Sequence, residues 1–200
     1  VWPGFGKSTK IYQEMDSANV LYDVPTWADY KVADIYAPTA QKIFWNHLYQ
    51  GLYTKGVDSW WLDATEPAYK DGLYPEKQTQ WSKKAGKTFI GSAARYLNTY
   101  SYVLTKMMYE NLRKQSDNRA SVLTRSAFAG QQRFGTSIWS GDIYASWDVL
   151  KKQLGAGLNI CMTGIPYWTT DIGGFRVRSR ENSGEGTGEI STEIHRNISS

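Results

Sequence analysis

Two hundred residues, 41% hydrophobic and 21% charged, fit one soluble globular domain or a piece of a larger one, and exclude a disordered, collagen-like or fibrous chain. The net charge of +4 is mildly basic, and its lysines are dispersed with no run longer than Lys83-Lys84 or Lys151-Lys152, so the clustered footprint of a nucleic-acid binder is missing. No run of about eighteen apolar residues marks a membrane span. The single cysteine, Cys161, excludes an intrachain disulfide framework, and the two histidines, His47 and His195, have no metal-ligand spacing to it.

In chain order, the first thirty residues read as loop, punctuated by Gly4, Gly6 and Pro25. Val1-Trp2-Pro3-Gly4 reads as a strand end entering a loop, so the start looks internal and further parts of the same polypeptide are expected. From Pro38 the period turns helical, with Phe44, Leu48 and Leu52 four apart and His47 half-packed beside them; Gly56 fits the stop. Val57 to Leu62 reads as a strand ending at Asp63, and residues 64–90 as a polar, turn-rich connection. A helix is expected from about Ser92 to Lys114, with Leu97, Tyr100, Leu104, Met107 and Asn111 on one face. Short strands follow at Ser121 to Thr124 and Thr136 to Trp139. Another helix is expected from about Ser146 to Gly157, with Trp147, Leu150, Leu154 and Leu158 along one side. Asn159 to Thr163, where Cys161 reads as a buried thiol, and Pro166 to Thr170 look strand-like. Strands alternating with helices argue for βα units and a parallel sheet, an α/β fold. Residues 176–200 alternate Arg with Glu and read as a polar loop or tail, leaving 1–175 as the folded domain.

Three strand ends finish on a carboxylate beside tryptophan: Trp60-Trp61-Leu62-Asp63-Ala64-Thr65-Glu66-Pro67, Trp139-Ser140-Gly141-Asp142, and Tyr167-Trp168-Thr169-Thr170-Asp171-Ile172-Gly173-Gly174-Phe175. In a parallel α/β barrel the strand C-termini open onto one face, where active sites sit, so acids distant in sequence can converge. Indole rings beside carboxylates suit a sugar, whose apolar face packs on the ring while its hydroxyls bond to Asp and Arg. Two carboxylates across one glycosidic bond are also the requirement for glycoside hydrolysis, provided that their environments split their pKa values.

These stretches, with Leu123-Thr124-Arg125-Ser126, Gly130-Gln131-Gln132-Arg133 and Gly164-Ile165-Pro166-Tyr167-Trp168 between them, make the chain resemble glycoside hydrolase family 31 over roughly residues 1–175. The resemblance implies an incomplete central portion of a (β/α)8 TIM-type barrel from a retaining exo-α-glycosidase. It makes Asp63 the nucleophile and Asp142 the general acid/base. Arg133 is similar to the family's substrate-hydroxyl ligand. Trp61, Trp139 and Phe175 are similar to walls of the sugar pocket, Asp171 to a supporting carboxylate, and Arg125 to an orienter of carboxylates. The form Trp-Trp-Leu-Asp-Ala-Thr-Glu-Pro looks most like bacterial α-xylosidases. Xyloside and glucoside both stay open as substrates, as do transglycosylation and a sugar-binding barrel without turnover. The resemblance implies an oligosaccharide substrate and no cofactor, metal, nucleic acid or membrane partner.

Glu66 reads as structural. Gly6-Lys7-Ser8 and Gly86-Lys87-Thr88 fail as phosphate-binding loops, because Val1 and Trp81 stand where the first glycine is required, and no Gly-x-Ser-x-Gly elbow supports a serine hydrolase. Asn197-Ile198-Ser199 is a formal glycosylation triplet that implies nothing alone.

Overall fold

The computed structural model describes residues 1–26, 29–67 and 75–176. The tail after Arg176, with His195 and the Asn197 triplet, and part of the expected 64–90 connection lie outside the described residues. The chain forms two compact units, Val1–Thr136 and Ser137–Ser200.

The first unit opens with β1 (Gly4–Phe5), helix α1 (Lys10–Ser17), β2 (Leu21–Pro25) and β3 (Lys31–Ala33). The three strands form a small antiparallel sheet in the order β1-β3-β2, with Gly4 opposite Val32 and Leu21 opposite Ala33. This corrects the expectation of loop over the first thirty residues. The helix is only two turns long, is capped by Thr9 accepting from the Tyr12 amide, and buries Tyr12 and Met15. So short an apolar stripe leaves little periodicity to read.

Helix α2 (Pro38–Gly51) starts on proline, whose missing N–H is one of the helix's orphan donors anyway. Ala40, Phe44 and Leu48 bury one stripe, and His47 meets Glu14 at 3.2 Å on the other side. Gly56, at φ +91, closes the following turn of 3-10 helix, Tyr53–Lys55. Strand β4 (Ser59–Leu62) then alternates cleanly: Trp60 and Leu62 enter the core, and Trp61 is 57% exposed.

The expected turn-rich stretch contains α3 (Pro75–Ala85) and a hairpin of β5 (Lys87–Thr88) and β6 (Gly91–Ser92). Trp81, fully buried with its indole N–H on the Pro25 carbonyl, anchors α3 within a polar sequence, and one aromatic gives no period to detect. The long helix expected from Ser92 is interrupted. Helix α4 (Ala93–Tyr96) and helix α5 (Tyr100–Gln115) flank a 3-10 turn, Leu97–Thr99. There the hydroxyls of Tyr36 and Thr99 both donate to the Tyr96 carbonyl and pull it from the helical ladder. Tyr100, Leu104, Met107, Met108 and Leu112 bury the inner face of α5.

Strand β7 (Ser121–Thr124) returns parallel to β4 in strict register, Ser59 opposite Ser121 through Leu62 opposite Thr124. A parallel return needs a long crossover, which the segment from α3 to α5 supplies.

The second unit carries a parallel pair of its own. In it, β8 (Thr136–Trp139) and β9 (Trp168–Thr169) pair Ile138 with Trp168 and Trp139 with Thr169, joined through α6 (Trp147–Met162). Ser146 caps α6 by accepting from the Val149 amide. A Cβ at Gly157 would sit 2.6 Å from the Trp168 ring, so only glycine lets helix and strand come this close. Residues 159–162 continue the helix rather than forming the expected strand, a short apolar run being ambiguous between the two. Cys161 is therefore exposed on α6 rather than buried, and Leu154 and Leu158 are exposed as well. Among the described residues no helix is long and apolar enough to cross a membrane.

Candidate active site

In the first unit the parallel register decides the geometry. Because Leu62 pairs with Thr124, the next residues along, Asp63 and Arg125, emerge side by side at the C-terminal ends of β4 and β7. The Arg125 guanidinium lies 3.1 Å from Asp63 Oδ1 and donates through Nε to Glu66 Oε1 at 2.6 Å. It bridges two carboxylates in fork geometry that a lysine cannot reproduce. Asp63 Oδ1 also accepts its neighbour's amide, Ala64 N, at 2.8 Å, and Oδ2 accepts the indole N–H of Trp2 at 2.8 Å. Ala64 takes a left-handed φ of +52, a strained turn that folds Glu66 back toward Arg125. Burial pushes the Glu66 carboxyl up from its ordinary pKa, against the opposing pull of Arg125.

Beneath this cluster lies a buried hydroxyl–amide network. Thr65 Oγ1 accepts from the Ser126 amide at 3.1 Å and meets Ser126 Oγ at 2.8 Å, which ties the loop after β4 to the loop after β7. Ser101, Thr124 and Gln131 close the network from below. Arg133 sits on the 3-10 turn Gln131–Phe134, exposed, with Nε donating to the Gly130 carbonyl at 3.0 Å. It is not brought to Asp63 or Glu66.

In the second unit, β8 ends on buried Trp139, and a turn through Gly141 at φ +80 presents Asp142. Asp142 Oδ2 lies 3.6 Å from an Arg176 terminal nitrogen. Asp171 follows β9. Burial first, then the negative charge of Asp142, push its carboxyl above the ordinary aspartate pKa. The backbone brings the two acids near one another: Ser140 N–H donates to the Thr169 carbonyl at 3.2 Å, and Phe175 N–H to the Ile143 carbonyl at 2.9 Å. Phe175 is 63% exposed. Gly174, at φ +82, lets the loop after β9 come against Ala145, whose Cα and N would stand 2.6 Å from any added Cβ.

Of the residues singled out in the sequence, the structure thus joins Asp63 with Arg125, and Asp142 with Asp171. Three contributors escaped that reading. Trp2 bonds Asp63 from sixty-one positions away, and nothing in its own neighbourhood signals it. Arg176 lies just beyond the last motif. Glu66 reads as structural alone and gains its role only through Arg125, a partner that the alignment of the two motif strands could have suggested.

Parallel βα units that present carboxylates and arginines just past the strand ends define part of a β/α-barrel domain bearing an acidic site. The profile of the glycosyl hydrolases family 31 TIM-barrel domain matches residues 1–190. An alpha-xylosidase of Saccharolobus solfataricus is 39% identical over 179 residues, spanning 88% of this chain and 23% of that protein. An alpha-glucosidase of the same organism is 30% identical over 154 residues, spanning 68% of this chain and 22% of its own length. The crystal structure of a family 31 alpha-xylosidase from Xanthomonas citri superposes with a TM-score of 0.82 at 33% identity, covering 90% of this chain and 20% of that one. The chain belongs to glycosyl hydrolase family 31 and forms part of its TIM-barrel domain. It spans less than a quarter of the length of each of these three proteins.

Proposed function

We propose that the polypeptide carrying this chain is a retaining exo-α-glycosidase acting on terminal α-linked xylose. The observation that carries this reading is Asp63, held at the end of β4 by Arg125, Ala64 N–H and Trp2. A carboxylate with its charge matched and its orientation locked is suited to nucleophilic attack. In the first step an Asp63 oxygen bonds to the anomeric carbon while the bond from that carbon to the glycosidic oxygen breaks. Asp142 gives its proton to the departing oxygen. In the second step Asp142 takes a proton from water, the water oxygen bonds to the anomeric carbon, and the Asp63 ester bond breaks, so two inversions give net retention. Trp61, Trp139 and Phe175 supply ring surface for the sugar, with Arg133 as the hydroxyl ligand and Asp171 as a supporting carboxylate. The alpha-xylosidases among the relatives support xylose, and the alpha-glucosidase relative supports a second reading, α-glucoside hydrolysis.

The test is nitrophenol release from aryl α-xyloside and aryl α-glucoside by the full-length polypeptide, with the first-formed sugar anomer read by NMR. Faster xyloside turnover with the α-anomer first is expected, and Asp63→Ala should abolish it. Unchanged activity in Asp63→Ala, or the β-anomer appearing first, would end the mechanism, and faster glucoside turnover would move the assignment to the second reading.

A further inference from the structure

We propose that Gln131 is a positioning residue that sets the Arg125 bridge to Asp63 and Glu66, an inference that rests on the glycosidase reading for its kinetic consequence. Gln131 is 0% exposed, an uncommon place for a carboxamide, and it is fully engaged. Its Nε2 donates to Ser101 Oγ at 3.0 Å and to Thr124 Oγ1 at 3.1 Å, and its Oε1 accepts the Phe128 amide at 3.1 Å. Both hydroxyls spend their own hydrogens on the Ser126 carbonyl, at 2.6 Å from Ser101 and 2.9 Å from Thr124. Their lone pairs are therefore what faces Gln131, and a hydrogen-bond donor at that position completes them.

The network touches the bridge on both sides. Arg125 lies between Thr124, which Gln131 grips, and Ser126, whose carbonyl the same hydroxyls hold. The Ser126 amide and hydroxyl engage Thr65, the residue between Ala64 and Glu66. Five buried or half-buried polar residues thus fix the two loops whose tips carry Asp63, Glu66 and Arg125. None of them touches the reacting groups. An apolar residue of the same volume would fill the space, but it would leave the Ser101 and Thr124 hydroxyls short of a donor and the Phe128 amide without its acceptor. The loop after β7 would then relax. A guanidinium that must meet two carboxylates at once tolerates little displacement, since a misplacement of about 1 Å can cost on the order of 10²-fold in rate.

The test compares Gln131→Met, Arg125→Lys and the double variant in the full-length polypeptide. Gln131→Met is expected to lower kcat on aryl α-xyloside by roughly 10- to 100-fold with KM within about 3-fold. The double variant should be no slower than Arg125→Lys, because the glutamine acts through the arginine. Multiplicative losses, or a kcat within about 2-fold of the parent in Gln131→Met, would overturn the proposal. Should Gln131→Met fail to fold, Ser101→Ala, which removes one hydroxyl of the same network, is expected to show a smaller loss with the same dependence on Arg125, and its additivity would count against the idea equally. The crystal structure of the variant decides the point without turnover. The Arg125 guanidinium is expected beyond ~4 Å from Asp63, outside ion-pair distance, whereas an unchanged 3.1 Å contact refutes the positioning role. If the parent polypeptide releases no sugar, the glycosidase reading fails while this structural arm still judges Gln131.

Discussion

The two units set their acids beside different charged neighbours. In the first unit Asp63 and Glu66 share one guanidinium at contact distance, with further donors from Ala64 and Trp2. In the second, Asp142 and Asp171 repel one another, and Arg176 stands at a looser 3.6 Å from Asp142. Burial raises one carboxyl in each unit, but at Glu66 the Arg125 cation opposes the rise, whereas at Asp171 the negative charge of Asp142 adds to it.

The comparison breaks most visibly at Asp142. Asp142→Ala is expected to slow turnover by roughly 10²- to 10⁴-fold, and the loss should shrink for aryl leaving groups of low pKa, measured as kcat across a leaving-group series. Equal losses across the series would remove the proton donor from the second unit. Next comes Trp2→Phe, which deletes the indole N–H from Asp63 and should cost kcat about 10-fold or more, the worth of a hydrogen bond to a charged group. An unchanged rate would mean that Arg125 and Ala64 N–H suffice.

Gly174→Ala should destabilise by about 1–3 kcal/mol in urea melts, because the new methyl meets the Ala145 backbone and φ +82 disfavours a side chain. Gly155→Ala, in open space on α6, should instead stabilise slightly.

The smallest effect concerns Glu66. Its folded pKa lies above its unfolded value, so its contribution is fully present below the unfolded pKa and is lost as pH rises through the folded one. Glu66→Gln should therefore keep stability within about 1 kcal/mol at pH 7. It should also flatten the decline of the urea midpoint above roughly pH 4.5, the ordinary range for Glu. A variant with the wild-type slope would show that another group titrates there.

Much of the architecture was readable in the chain. Ser121–Thr124 and Thr136–Trp139 were expected residue for residue as strands, because β-branched and apolar residues between turn signals leave little choice. Helix α2 declared itself through a four-residue spacing, although it ends at Gly51 and Gly56 closes the 3-10 turn that follows it. Several misses share one cause: elements held by only one or two long-range anchors carry no period. Helix α3 hangs on Trp81, α1 on Tyr12 and Met15, and the break before α5 on a hydroxyl from Tyr36. At the site, Asp63 and Arg125 stood in recognisable motifs, whereas Trp2 and Gln131 gained meaning only from what they touch.

By itself the sequence determined the βα rhythm, the family, and which acids stand at strand ends, since those follow from local period and motif order. The tertiary structure alone decided that Arg125 falls between Asp63 and Glu66, that Trp2 reaches Asp63, and that Arg133 stays apart from them. The physical reason is register. Which side chains meet depends on how two strands align across some sixty intervening residues, and their backbone hydrogen bonds do not depend on which side chains the strands carry.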